Sequence, residues 1–376
     1  LLTDGSMKRN HLAQATGLAS PTVFRLVDEL TQAGILRQLP LESGQPRRTV
    51  GRPAASVELD SQAAVALCMY IGTLNARLAL ADLRLGILAR RLLPLNGADP
   101  KASLELAART LLDMADQAGV DRHRLLGVGI GSSGVVGGGS IKLHSWLGWR
   151  DVPARAIVAG ATRLPVFVDG AVRSNALSEA WFGHGRDSGT LAVLRVGSVV
   201  TSAAVVRRSL VRSGGLVEGQ IGHLPAGGDR RCSCGRRGCI EVEARDQSVL
   251  ADARRLRIAT AASRAIDVYD LARSGDRTAL SLVDRRGDVI ARAVAILEAV
   301  FDPGVVVIVG AMAADGGELQ MQAIRAALPR HRVLPEVDRP LRLVSSHFDT
   351  DSGVAGAGSL VLRQFYEGRL EIARHI

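Results

Sequence analysis

HLPAGGDRRCSCGRRGCIE, residues 223–241, holds three of the four cysteines of a 376-residue chain. His223, Cys232, Cys234 and Cys239 form a one-imidazole, three-thiolate set suited to tetrahedral zinc. Gly235 and Gly238 let the backbone fold tightly enough to bring the sulfurs together. Four protein donors leave no position for a bound water, so the expected ion is structural. Only polar residues and glycine separate the cysteines, which argues against three thiols that merely fill a core.

The rest of the composition bounds the setting. Four cysteines so bunched make a poor disulfide framework and fit a reducing compartment. Runs such as VALCMYI and VVVIVGA are far shorter than the roughly 20 residues of a membrane helix, and they read as buried strands. With no secretory leader at its start, the chain is expected to be cytoplasmic and not to insert in a membrane. It opens LLTDGSM without an initiator methionine, so a further helix is expected ahead of it. The net charge of +10 favours a polyanionic partner, although much of it is arginine in an arginine- and alanine-rich chain.

Residues 8–36, KRNHLAQATGLASPTVFRLVDELTQAGIL, read as helix, turn, helix and exit into a strand. Ser20 is the expected N-cap of the second helix, with Pro21 in its first position. Val23, Leu26, Val27 and Leu30 form an apolar stripe expected to pack on Leu12, Ala13 and Leu18. Thr22, Arg25 and Glu29 fall on the wet face. Arg47, Arg48 and Arg52 follow in a proline- and glycine-containing arm, before the strand SVEL. Helix-turn-helix plus basic hairpin is the winged-helix plan, which places Ser20, Thr22 and Arg25 at the major groove and the three arginines at phosphate or the minor groove. The partner is a double-stranded DNA operator; the competing reading is a small helical hairpin with a solvated basic loop.

From about residue 62 strands alternate with helices, and glycine loops follow strands, as in a two-lobed α/β body with a cleft. The expected division is 1–60 for the DNA-binding domain, 61–170 for a first lobe completed by a C-terminal helix at 357–376, and 171–356 for a second lobe with the zinc loop. GIGSSG, residues 129–134, fits a dinucleotide-binding pattern, but VVGGGSI follows where a helix would have to begin.

EGQIGHLPAGGDRRCSCGRRGCIE, residues 218–241, resembles the zinc-and-sugar segment of the ROK family of repressors and sugar kinases. The resemblance extends through GVGIGSSGVV, PVFVDG with ALSEAWFGHG, DPGVVVIVGA and AGAGSLVL, in the family's order. The trailing GRPA of the N-terminal region resembles the repressor branch. The fold implied is the two-lobed actin- and hexokinase-like (ribonuclease H-like) one, with sugar and nucleotide sites in the cleft. The family's zinc loop shapes one wall of the sugar pocket; its histidine touches metal and sugar, and the glutamate after the last cysteine binds sugar hydroxyls. These roles map onto His223 and Glu241.

The same resemblance identifies what is missing. A sugar kinase needs a carboxylate base and glycine loops that cradle phosphate. Tyr70 stands for the aspartate of the first phosphate loop, and Gly170 and Ala171 for the cleft asparagine and catalytic aspartate. Asp169 is adjacent, but neighbouring side chains of a strand point to opposite faces. Val199, Val200 and Thr201 replace glycines of the second-lobe loop, VGAMAADGG interrupts the adenosine-site glycines, and Gln220 replaces the first sugar-binding glutamate. We therefore expect a regulator, a repressor by the branch it resembles, without kinase activity. Gly170, Ala171, Gln220, His223 and Glu241 would line an effector site for a sugar-like or acidic molecule. The regulator would act as a homodimer or dimer of dimers. The alternatives are a ROK sugar kinase with a DNA-binding extension, and a ligand-independent regulator controlled by a protein partner.

Overall fold

Buried β-branched runs separated by glycine turns build two sheets of one design in the computed structural model, which describes residues 1–2, 5–39, 56–212, 214–215, 219–334 and 341–372. Arg47, Arg48 and Arg52 lie outside these residues.

The N-terminal unit contains β1 (Met7–Lys8), α1 (Arg9–Thr16), α2 (Ser20–Gln32), β2 (Leu36–Gln38) and β3 (Ser56–Leu59), with the strands ordered β1-β3-β2 and antiparallel. Gly17 ends α1 in the left-handed region, at φ 67°. The N-cap of α2 is the extended Ala19, not Ser20; Ser20 is the first helical residue, because the turn leaves the left-handed cap one residue sooner than the sequence suggests. Val23 and Val27 are buried against Leu12 and Ala13, whereas Leu26 and Leu30 remain 36% and 38% exposed. An eight-residue α1 and a three-stranded sheet cover only part of the expected stripe.

In the first lobe β4 (Val65–Ile71), β5 (Asn75–Asp82) and β6 (Ile87–Pro94) form an antiparallel meander, followed by α3 (Pro100–Gln117). Then come β7 (Leu125–Ser132), a small antiparallel sheet of β8 (Val135–Gly137), β9 (Ser140–His144) and β10 (Trp149–Val152), α4 (Ala154–Thr162), β11 (Val166–Gly170) and α5 (Ala171–Phe182). The sheet order is β11-β7-β4-β5-β6, with β7 and β11 parallel to β4.

The second lobe repeats this order. Its meander is β12 (Thr190–Val196), β13 (Val200–Val206) and β14 (Ser209–Leu210). Helices α6 (Ile240–Ala244), α7 (Asp246–Arg255), α8 (Ala265–Arg273) and α9 (Arg277–Phe301) lead to β15 (Val305–Val309), α10 (Ala311–Ala327), β16 (Arg342–Ser345) and α11 (Ser352–Tyr366). Its sheet runs β14-β13-β12-β15-β16, again a meander extended by two parallel strands.

The last helix of each half crosses to the other: α5 packs on β12 and β13, and α11 packs on β4 and β7. Helix α11 starts at Ser352, ahead of the expected 357, because its small residues admit close neighbours. A Cβ on Gly353 would stand 2.6 Å from the Tyr70 ring, and one on Gly129 of β7 would stand 1.8 Å from the carbonyl oxygen of Ala357. The buried side chains of the N-terminal unit, among them Leu12, Val23, Val27, Leu36 and Val57, belong to one continuous core with Cys68, Leu83, Val354 and Val361 of the first lobe. Among the described residues, no helix is long and apolar enough to cross a membrane.

Candidate functional site

The cysteine loop is a tight hairpin. Arg231 pairs with Arg237, and Gly235, at φ 89°, donates to the carbonyl of Cys232 at the tip. Cys232 and Cys234 sit on this hairpin, Cys239 caps the start of α6, and His223 closes a single 3-10 turn, Ile221–His223. The four donor atoms lie within 4.8 Å of one another, a set that could hold a metal ion. Cys234 Sγ is 3.7 Å from Cys239 Sγ, and Cys232 Sγ is 3.4 Å from His223 Nδ1. Backbone and side-chain hydrogen bonds from Arg236 bring the Cys234 thiol down to about 6, whereas burial and the neighbouring thiols push Cys239 up to about 12. The fourth cysteine, Cys68, is sealed in β4, and burial pushes its thiol up as well.

Two residues beyond Cys239, Glu241 is carried into the interlobe cleft by the first turn of α6. It is 6% exposed, and its Oε2 accepts from the Val200 amide at 3.2 Å. The inner chamber of the cleft, about 590 Å³, is lined by Gly170, Ala171, Gln220, His223 and Glu241 together. It also presents residues that sequence reasoning missed: Arg173, Arg195, Arg245, His144 and Trp146. Glu241 is the only carboxylate among the described residues of its lining. Among the described residues no acceptor reaches the buried Nε of Arg245. His144 is buried, its Nε2 lies 3.1 Å from Ser133 Oγ, and burial holds its imidazole below the usual histidine range.

Asp169 does not substitute for a cleft base. Its Oδ1 accepts from Arg173 Nε at 2.5 Å and from the Gly170 amide at 2.7 Å, and its Oδ2 accepts from Arg212 at 2.5 Å. The Arg173 guanidinium lies over Gly170, 3.3 Å from where a Cβ would stand, and so fills room that a larger residue would use. An outer chamber of about 510 Å³ is lined by Tyr70, Arg77, Asp246, Asp315 and Gly310, and both chambers share Ser133, Trp146, Arg195 and Ser198. At this junction Arg195 of β12 donates to the Tyr70 hydroxyl and, at 3.2 Å, to Asn175 Oδ1, while stacking 5.3 Å from the Tyr70 ring centre. One arginine thus ties both lobes to the crossover helix α5. Val199 precedes β13 and Val200 and Thr201 open it, so β-branched residues follow Gly197 and Ser198 in this loop.

At the other end of the chain, α2 exposes Ser20 and Arg25, with Thr22 half-buried. Arg25 pairs with Glu29 at 2.5 Å, both side chains more than half exposed. Such a pair is worth about 0–1 kcal/mol, so Arg25 can exchange Glu29 for another acceptor cheaply.

A family profile described as ROK family matches residues 66–364, and one described as IclR helix-turn-helix domain matches residues 3–40. A protein of Mycobacterium bovis named a transcriptional regulator is 29% identical, over 98% of this chain and 85% of that protein. A glucokinase of Thermotoga maritima is also 29% identical, over 62% of this chain and 78% of the enzyme. Among solved structures, a ROK family transcriptional regulator described as a homolog of the E. coli MLC protein superposes with a TM-score of 0.79 at 21% identity, covering 96% of this chain and 93% of that one.

Proposed function

The chain belongs to the ROK family, and from that membership, joined to its N-terminal helix-turn-helix, we propose a DNA-binding transcriptional regulator whose kinase-like cleft senses a ligand instead of phosphorylating one. We take residues 1–60 as the DNA-reading unit, and the lobes 61–170 and 171–356 as the sensor, with the C-terminal helix returning to the first lobe. The regulator works in the cytoplasm as a homodimer, or a dimer of dimers, on a double-stranded operator, and represses.

The observation that carries the loss of kinase activity is the end of β11. Phosphoryl transfer to a sugar needs a carboxylate within hydrogen-bond reach of the attacking hydroxyl. Here β11 ends at Gly170 and α5 opens with Ala171, Asp169 is engaged by two arginines, and Glu241 holds the Val200 amide. ATP should therefore not be turned over with any member of a panel of hexoses and pentoses. Sugar-dependent ADP release that saturates with sugar would overturn the reading.

The ligand we propose is a sugar-derived anion. Among the described residues of the inner chamber's lining, Arg173, Arg195 and Arg245 accompany a single carboxylate, that of Glu241. Plain glucose would leave hydroxyls short of partners, each at a cost of about 1–3 kcal/mol, so it should bind in the millimolar range or not at all. Glu241→Gln keeps an acceptor for the Val200 amide but removes the charge. It should lose the response to the effector while metal content and DNA binding stay as in the parent. Micromolar binding of plain glucose by calorimetry, or an unaltered response of this variant, would sink the assignment. An anion drawn to Arg195 competes with Tyr70 and Asn175 for its guanidinium, so occupancy would shift the balance between lobe arrangements.

We propose zinc as the ion of the cysteine loop. Zinc–sulfur bonds of about 2.3 Å and zinc–nitrogen bonds of about 2.0 Å give tetrahedral edges of roughly 3.5–3.8 Å, close to the Cys234–Cys239 sulfur–sulfur separation of 3.7 Å and the Cys232–His223 sulfur–nitrogen separation of 3.4 Å, with all four donors within 4.8 Å of one another. Filled by four protein donors, the ion would act by holding His223 and Glu241 at the cleft wall.

A further inference from the structure

Behind the wall formed by β11 and Arg173 lies a second cavity, of about 260 Å³, which opens to solvent and is separate from the cleft. Arginines from four parts of the fold line it: Arg155 from the start of α4, Arg173 from α5, Arg363 from the end of α11, and Arg212 from beyond β14 in the second lobe. Asp169 is the one carboxylate of its lining, and it is already shared between Arg173 and Arg212. Arg363 is paired with Glu367 at 2.7 Å. Arg155 forms no ion pair among the described residues. Among the described residues, four arginines meet two carboxylates, Asp169 and Glu367, an excess of positive charge.

The backbone is arranged to admit the arginine that lacks a partner. Gly138 and Gly139, at φ 61° and 81°, make the turn between β8 and β9. A Cβ on Gly139 would stand 2.8 Å from Arg155 Nε, so the guanidinium can lie on the turn only because a glycine is there. Phe167, Leu177 and Leu360 supply an apolar floor, and Gln364 adds an amide. Planar guanidiniums that converge from several directions suit a tetrahedral oxyanion, whose oxygens accept paired N–H donors.

We propose that this cavity is a second ligand site, for phosphate, either free or as a small phosphomonoester. The anion would bridge Arg155 of the first lobe and Arg212 of the second. It would also draw on Arg173, whose guanidinium forms part of the inner chamber's lining. Occupancy would therefore clasp the lobes from behind and alter the cleft through the two residues that both cavities share, Val136 and Arg173.

The test uses the full chain, with inorganic phosphate and glycerol phosphate titrated calorimetrically against sodium chloride of equal ionic strength. Both probes should bind saturably, and the tighter of them identifies the source of the phosphate. Arg155→Gln and Arg212→Gln should each weaken binding at least about tenfold, the ordinary effect of removing a charge-assisted bidentate donor. Arg155 is exposed, so Arg155→Gln should keep the parent melting temperature in the absence of phosphate, whereas Arg212→Gln also takes a partner from the buried Asp169 and should melt lower. Crystals soaked in selenate should show anomalous density between Arg155 and Arg212. Absence of saturation, undiminished affinity in the double variant, or selenate found only on Arg195 and Arg245 in the cleft would overturn the proposal.

Discussion

Cys239→Ser should purify with less than half an equivalent of zinc, against one equivalent in the parent, and should melt about 10 °C lower. Structural zinc contributes about 10–16 kcal/mol of apparent folding free energy in small peptides, where no other core exists. The loop here is anchored elsewhere: Ile240 donates to the Leu224 carbonyl, Ala226 donates to the Gly238 carbonyl, and Ile240 and Ala244 sit in the core of the second lobe. Only part of that energy is therefore exposed to the mutation. A loss of ~3–5 kcal/mol, at roughly 2–4 °C per kcal/mol for a large domain, gives the expected shift. Because Cys239 caps the helix that carries Glu241, the same variant should also lose its effector response. Chelation should reproduce both effects, and acidification should as well, since thiolates released from an ion take up protons. A parent protein that purifies with less than half an equivalent of zinc, or a variant with unchanged melting and response, would remove the loop from the mechanism.

Deleting residues 1–60 should abolish sequence-specific DNA binding while leaving the zinc content of the remaining body intact. Within that region the substitutions should divide by chemistry. Arg25→Ala on the exposed face of α2 should narrow the gap between operator and random DNA by about 1–3 kcal/mol, the usual worth of a bidentate base contact. Arg47→Ala or Arg48→Ala should weaken all duplexes about equally and flatten the dependence of log affinity on log salt by about 0.9 for each phosphate no longer neutralised. Gel-shift titrations over a salt series separate the two outcomes. A truncated protein that still selects its operator would place DNA recognition elsewhere.

The cysteine–histidine cluster was legible because local spacing alone brings its four donors together: two glycine turns and a nearby histidine do not depend on distant parts of the chain. The buried half of α2 was legible for a related reason, since Val23 and Val27 repeat at helical spacing. Leu26 and Leu30 were misplaced because periodicity defines a stripe but not the width of what covers it. Aligning Gly170 and Ala171 with a known motif placed them at the cleft, whose inner chamber they line, and strand alternation separated Asp169 from that chamber. The cationic lining could not be read. Arg173, Arg195 and Arg245 come from a crossover helix, a strand and the turn between two helices, and only tertiary register turns them to one chamber. The matching strand order of the two lobes was equally hidden, because a buried run of valines announces a strand without naming its neighbours.

The shared core beneath the N-terminal unit has a mechanical consequence. Leu12, Val23 and Val27 belong to one hydrophobic cluster with Cys68 and Val361, so the N-terminal unit rests against the first lobe through buried apolar side chains. Close-packed interiors transmit displacement with little compliance. In the proposed homodimer, rotation between lobes would therefore be felt at α2 and, across the two-fold axis, would move both copies of that helix. DNA that fits one spacing of those helices would be gripped or dropped by the angle of the sensor alone, with no signal needing to pass along a chain of side chains.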